Sequence, residues 1–143
     1  MNHPIETNAN RHSVRAKLIA IVASASLASA QVGAASAIAF ETTSASGQIV
    51  RIFGYGIADN VDDAKTAALA DCMDNGASFP QIAGSTSETG WGAVHYDEDT
   101  GAGGWVLAMS TKKKAKKKAK RFCRDAGGEN CRLLFVFHDT TDK

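Results

Sequence analysis

Few residues in this chain have the chemistry for acid–base or metal work. Beyond the first thirty positions only two histidines occur, His95 and His138. His95 stands just before Asp97-Glu98-Asp99, and His138 adjoins Asp139. A carboxylate beside an imidazole can orient it for proton transfer or help hold a metal. Proximity in sequence fixes no geometry, however, and Asp is also a common residue of solvated hairpin turns. The oxygen donors of Asp97-Glu98-Asp99-Thr100-Gly101 cluster, yet their spacing is not that of a full calcium loop. Phosphate-binding loops, zinc-protease helices, nucleophile elbows and Cys/His zinc sets are absent. The sequence therefore assigns no catalytic residue, no metal ligand and no cofactor.

The most unusual stretch is Thr111 to Arg124, in which nine bases occupy the thirteen positions from Lys112 onward: Lys112, Lys113, Lys114, Lys116, Lys117, Lys118, Lys120, Arg121 and Arg124. Spacings of four place Ala115, Ala119 and Cys123 on one helical face. On such a helix the bases form six like-charge i,i+4 pairs, each costing about 0.2–0.5 kcal/mol. Lys112, Lys113 and Lys114 also oppose the helix dipole at the N-terminal end. Helix propensity alone thus does not account for the arrangement, and these nine bases are the candidate binding residues. Charge is segregated along the chain: residues 41–99 carry ten acids and two bases, residues 100–143 eleven bases and four acids. Three readings follow: a merely solvated face partly offset by the acidic half, contact with an anionic surface or protein partner, or homo-oligomerisation of basic half on acidic half. Nucleic acid is disfavoured, because Phe122 is the one aromatic in the stretch and the small-residue face is expected to bury it.

Two tryptophans, Trp91 and Trp105, stand near the ends of one expected hairpin and could form an aromatic platform, although cross-strand packing is the commoner use.

The elements that must position these residues come in two copies. Ala64, Ala68, Cys72 and Gly76 recur as Ala115, Ala119, Cys123 and Gly127 at a constant shift of 51 residues. Ala37 to Phe40 aligns with Ala93 to Tyr96, and Gly54 to Ala58 with Gly104 to Ala108. Each unit then reads as strand, turn, strand, helix, strand. The fold class is α+β, with two pseudo-repeated β-hairpin/helix/strand units, antiparallel strands and two helices, the repeats spanning about 36–83 and 90–138 of one domain from 31 to 143. The first hairpin is expected to have the longer connection. Its closing strand, around Phe79 to Ile82, should be an edge because of Pro80. Leu133 to Phe137 is apolar throughout, which predicts a strand covered on both faces, either central in its sheet or against a second subunit. Small residues on the inner helix faces (Ala64, Ala68, Cys72; Ala115, Ala119, Cys123, with Phe122) predict helices lying close on their sheets.

Three cysteines, Cys72, Cys123 and Cys131, allow one disulfide by three pairings. Cys123 with Cys131 is favoured, since the Gly127-Gly128 turn would bring a helix end back to a strand start. Cys72 is then a buried small group or an intermolecular bridge.

Residues 1–30 have the pattern of a signal peptide: Arg11, Arg15 and Lys17, then an apolar stretch from Leu18 to Leu27, then Ala28-Ser29-Ala30. Cleavage after Ala37 would cut the first strand, whereas cleavage after Ala30 leaves it whole. The expected location is periplasmic or secreted.

Trp91-Gly92-Ala93-Val94-His95-Tyr96, a Gly-rich turn, an aromatic strand, Ser110 before Ala115-x-x-x-Ala119-x-x-x-Cys123, and Cys131-Arg132 opening a last strand together resemble the exported bacterial family DUF4189. The second unit matches along about 50 residues; the first matches more loosely, with no partner for Cys72. The resemblance implies a small exported protein with paired cysteines at Cys123 and Cys131, and implies no catalytic residues. The function expected is that of a non-enzymatic exported interaction module using the Lys112–Arg124 face. The alternatives are an envelope- or host-directed hydrolase using His95 with nearby carboxylates, and a periplasmic inhibitor or toxin-neutralising protein.

Overall fold

Alternation of side chains along the first strand already dictates a layered structure. In the computed structural model, which describes residues 34–140 except position 46, strand β1 (Ala35–Ala45) turns Ala35, Ala37 and Ala39 to one face, with Ile38 and Phe40 on the other. It pairs with β2 (Gln48–Ala58) and with β3 (Gln81–Thr86), both antiparallel, in the order β2-β1-β3. Helix α1 (Val61–Asp74) lies between β2 and β3 in the chain. The second half repeats this plan: β4 (Gly90–Tyr96), β5 (Gly103–Met109), α2 (Lys112–Asp125) and β6 (Arg132–Asp139), in the sheet order β5-β4-β6.

Both helices begin and end by the same local rules. The side chain of Asn60 accepts the Asp63 amide at the start of α1, and Thr111 accepts the Lys114 amide at the start of α2. At the C-termini, Gly76 and Gly127 take positive φ (104° and 95°), which lets the Ala77 and Gly128 amides return to the carbonyls of Cys72 and Cys123. Every one of these positions is displaced by 51 residues from its counterpart.

Three cores stack in sequence through the molecule. Ala64, Ala68 and Cys72 of α1 pack on Ala35, Ala37 and Ala39. Ile38 and Phe53 of the first sheet meet Val94, Tyr96 and Phe137 of the second. Ala93 and Val106 carry Ala115 and Ala119 of α2. The two sheets therefore face each other and the helices cover their outer faces, giving helix, sheet, sheet, helix. Gly54 and Gly104 explain the close approach of the helices: a Cβ at Gly54 would collide with the Cys72 amide nitrogen and the Ala68 carbonyl, and one at Gly104 with the same atoms of Cys123 and Ala119.

Three expectations change. The first hairpin has longer strands, eleven residues each, rather than a longer connection, because the β1–β2 ladder continues without a break to Ala45 and Gln48. Strand β3 starts at Gln81, after Pro80, which has no N–H for the ladder; Phe79 is left 83% exposed. Strand β6 is an edge and not central, and Leu133 and Leu134 lie at the surface. An irregularity between Val94 and His95 in the β4–β6 ladder passes over Leu134, as one between Ile38 and Ala39 passes over Ala83 in the β1–β3 ladder. The segment 1–30 lies outside the described residues. Ala37 is fully buried within β1.

Candidate functional site

Helix α2 turns Ala115, Ala119 and Cys123 inward and leaves the basic residues outside. Lys112, Lys113, Lys114, Lys116, Lys117, Arg121 and Arg124 are exposed, while Lys118 and Lys120 are half-buried along their stems. Among the described residues the one ion pair is Lys65 with Asp62 at 3.4 Å, so none of the nine bases of α2 is paired with an acid. Their contacts are of other kinds. Lys114 Nζ donates to Ser110 Oγ at 3.1 Å. Lys112 Nζ lies 5.6 Å from the Trp91 ring centroid. Lys118 and Arg121 lie 5.7 and 5.4 Å from that of Phe122.

Phe122 corrects the sequence reading. It is 37% exposed, because the inner face is centred on Ala119 and a position three residues further falls at its margin. The basic face thus carries a surface aromatic that its own cations cover.

A groove beside α2 is lined by Lys112, Lys113, Lys116, Lys117 and Lys120, with His95 of β4 as its buried member. His95 is 5% exposed and pairs across the β4–β5 ladder with Gly104. Its Nδ1 is 3.4 Å from the Cys131 carbonyl oxygen. A carbonyl can only accept, so Nδ1 carries the proton and Nε2 presents a lone pair in the neutral ring. Nε2 is buried without a hydrogen-bond partner. Burial holds the imidazole below its ordinary pKa, the Cys131 carbonyl acts the other way, and the charges of Lys120, Lys116 and Arg124 lower it further.

Asp97 serves the loop and not the histidine. It is fully buried and accepts the amides of Glu129 and Asn130 on Oδ2 (2.7 Å each) and those of Asp99 and Thr100 on Oδ1 (3.0 and 3.4 Å). The Asn130 amide is the chief cause of a carboxyl held below its usual range; burial opposes this, and the other three amides reinforce it. Asp99 accepts from the Asn130 side chain at 3.3 Å. With their oxygens so engaged, neither acid is hydrogen-bonded to His95. The first unit has a reduced form of this clasp: Glu41, half-buried, accepts the Phe79 amide at 2.7 Å, and Phe79 is the counterpart of Asn130. Sequence reasoning missed this pair of clasps, although the alignment of Glu41 with Asp97 follows from that of Ala37 with Ala93.

His138 stacks on Trp91 at 4.2 Å between centroids. Asp139 is fully buried, neither of its oxygens makes a hydrogen bond of good geometry, and burial raises its pKa against the nearby Ser36 hydroxyl and His138. Trp91 packs on the α2 side of the second sheet and Trp105 between the sheets, where it covers Gly84. The two tryptophans therefore form no shared platform. Cys123 and Cys131 are bonded, with Cα atoms 6.1 Å apart, whereas Cys72 is free and fully buried, which removes it from intermolecular pairing. No group of three or more His, Cys, Asp or Glu that could hold a metal occurs among the described residues.

The family model described as domain of unknown function (DUF4189) matches residues 91–141, the whole of the second unit from Trp91. This supports the resemblance for that unit. No curated protein and no solved structure matches the chain.

Proposed function

We propose that the chain is an exported, non-enzymatic interaction module that contacts anionic surfaces or partners through the outer face of α2. The observation that carries this reading is the absence of acidic partners for all nine bases of α2 among the described residues. The acids of α1 (Asp62, Asp63, Asp71, Asp74) belong to the opposite outer layer of the sandwich, so they do not offset the bases by contact. Unpaired like charges on a helix cost stability; an external polyanion would relieve that repulsion and release counterions. The hydrolase alternative loses support from the engagement of Asp97 and Asp99 with the loop at 129–130. Export rests on the pattern of residues 11–30. We read the first unit as a diverged second copy of the family domain, on the strength of the equivalent caps, glycines and carboxylate clasps.

Co-sedimentation with anionic vesicles at low and high salt tests the proposal. Binding should weaken several-fold as salt rises and should be largely lost when Lys113, Lys116, Lys117 and Lys120 are changed to Gln. Binding indifferent to both would remove it. Opposite charge on the two outer layers favours a second reading, self-association of basic on acidic face; salt-sensitive dimerisation in sedimentation velocity would identify it.

A further inference from the structure

From the groove beside α2 we infer a specific site for a tetrahedral oxyanion, a phosphate or sulfate group, in which His95 Nε2 takes up a proton and donates it in a hydrogen bond to the anion. The inference rests on the anionic-contact reading above and names the group that the contact would recognise.

Two independent features meet there. Five lysines, Lys112, Lys113, Lys116, Lys117 and Lys120, line one groove without an acidic partner. Beneath them lies an imidazole whose Nε2 is buried and unpartnered. A buried polar atom without a partner costs stability, and the fold has a ready alternative at this place: the counterpart of His95 in the first unit is Ala39, opposite Gly54 as His95 is opposite Gly104. The second unit has the buried imidazole where the helix above is basic, and the first has the alanine where the helix is acidic.

The proton balance follows from the tautomer. Nδ1–H is committed to the Cys131 carbonyl, so the neutral ring offers an anion only a lone pair, which repels it. Protonation at Nε2 turns that atom into a donor. Every neighbouring element bears on the cost of the charge. Helix α2 brings Lys116, Lys120 and Arg124, which oppose it. The turn that follows β4 brings Asp97, whose carboxylate is already bound by four amides. Strand β5 offers Gly104, and β6 offers Leu133, across the ladders. In the absence of an anion only the Cys131 carbonyl favours the charged ring, against burial and the three bases; an oxyanion among the lysines reverses the sign of the local field, and one proton is taken up from solvent with it. His95 and the five lysines line the same groove, so an anion held among the lysines lies on the side of the sheet that carries the ring.

The test uses the full exported chain and NMR of the His95 ring. Sulfate, which does not titrate near neutral pH, should move the His95 midpoint up by about one unit, equivalent to about tenfold tighter binding to the protonated form, while chloride at matched ionic strength should not. Sulfate affinity should correspondingly fall as pH rises through that midpoint. The pH dependence of sulfate affinity should vanish in His95→Gln. Vesicles of phosphatidylcholine with phosphatidylglycerol, compared with free sulfate, separate a surface-displayed group from a small ion: a midpoint moved by both assigns the site to either source, and one moved by a single probe assigns it to that source. A His95 midpoint unmoved by sulfate and vesicles overturns the inference; vesicle binding persisting in that case leaves the broader reading intact. Failure of the wild type to bind either probe at low salt overturns both.

Discussion

The two units share a skeleton and differ on their outer surface. Caps at Asn60 and Thr111, glycines at Gly54 and Gly104, returning amides at Ala77 and Gly128, and loop clasps at Glu41 and Asp97 are equivalent. Outward from the alanine face, Asp62, Asp63, Thr66 and Leu69 of α1 become Lys113, Lys114, Lys117 and Lys120 of α2. Among the changes, Ala39 becomes His95 beneath the helix, and Pro80 becomes Cys131 in the loop after it. Requirements of packing hold the inner residues alike. Freed of them, the outer faces have taken opposite charge, and this difference is the ground on which α2 is proposed as the binding face.

Breaking the shared skeleton should have the largest effect, and an equal one in both units. Gly54→Ala and Gly104→Ala each force a methyl into helix backbone, and each should cost about 3 kcal/mol or more in denaturant unfolding. A large loss in one with none in the other would break the equivalence. The disulfide comes next. Cys131→Ser should lower stability by about 2–3 kcal/mol for so short a closed loop. Pro80→Cys sharpens the comparison further: it should pair with Cys72, detectable by loss of the free thiol and a gain of similar size.

Smaller effects separate the outer faces. Changing Lys113, Lys116, Lys117 and Lys120 together to Gln relieves five of the six like-charge pairs and should raise stability by about 1 kcal/mol at low salt, and the gain should shrink as salt is added. The smallest effect concerns pH. Because burial lowers the His95 pKa, the unfolded chain binds more protons than the folded one just below the ordinary histidine value. Stability contributed by the neutral ring is therefore present above pH 6.5 and declines as pH falls through that value towards the lowered one. His95→Gln should flatten that decline in a series of thermal melts.

Much of this fold was legible in the chain. The 51-residue shift, the alternation in each strand and the small residues at spacings of four specify which faces are buried, and those positions are set by local backbone geometry. The Cys123–Cys131 bond was legible for the same reason, a tight turn joining helix to strand. What stayed hidden depends on how the sheets meet. Leu133 and Leu134 read as core, yet an edge strand with a ladder irregularity leaves them at the surface. Trp91 and Trp105 read as neighbours, but lie on opposite faces of one sheet. His95 and Asp97 could be read either as partners or as a strand residue and a solvated turn residue, because the sequence gives no sign that four amides from two loops occupy a buried carboxylate.

Amide chemical-shift mapping with anionic vesicles or sulfate, on uniformly labelled protein, addresses the divergence of the two helices most directly. Perturbations should concentrate in residues 112–124 and at His95, and leave residues 61–74 unchanged. Equal perturbation of both helices, or perturbation of the first alone, would contradict the assignment of the binding face to α2.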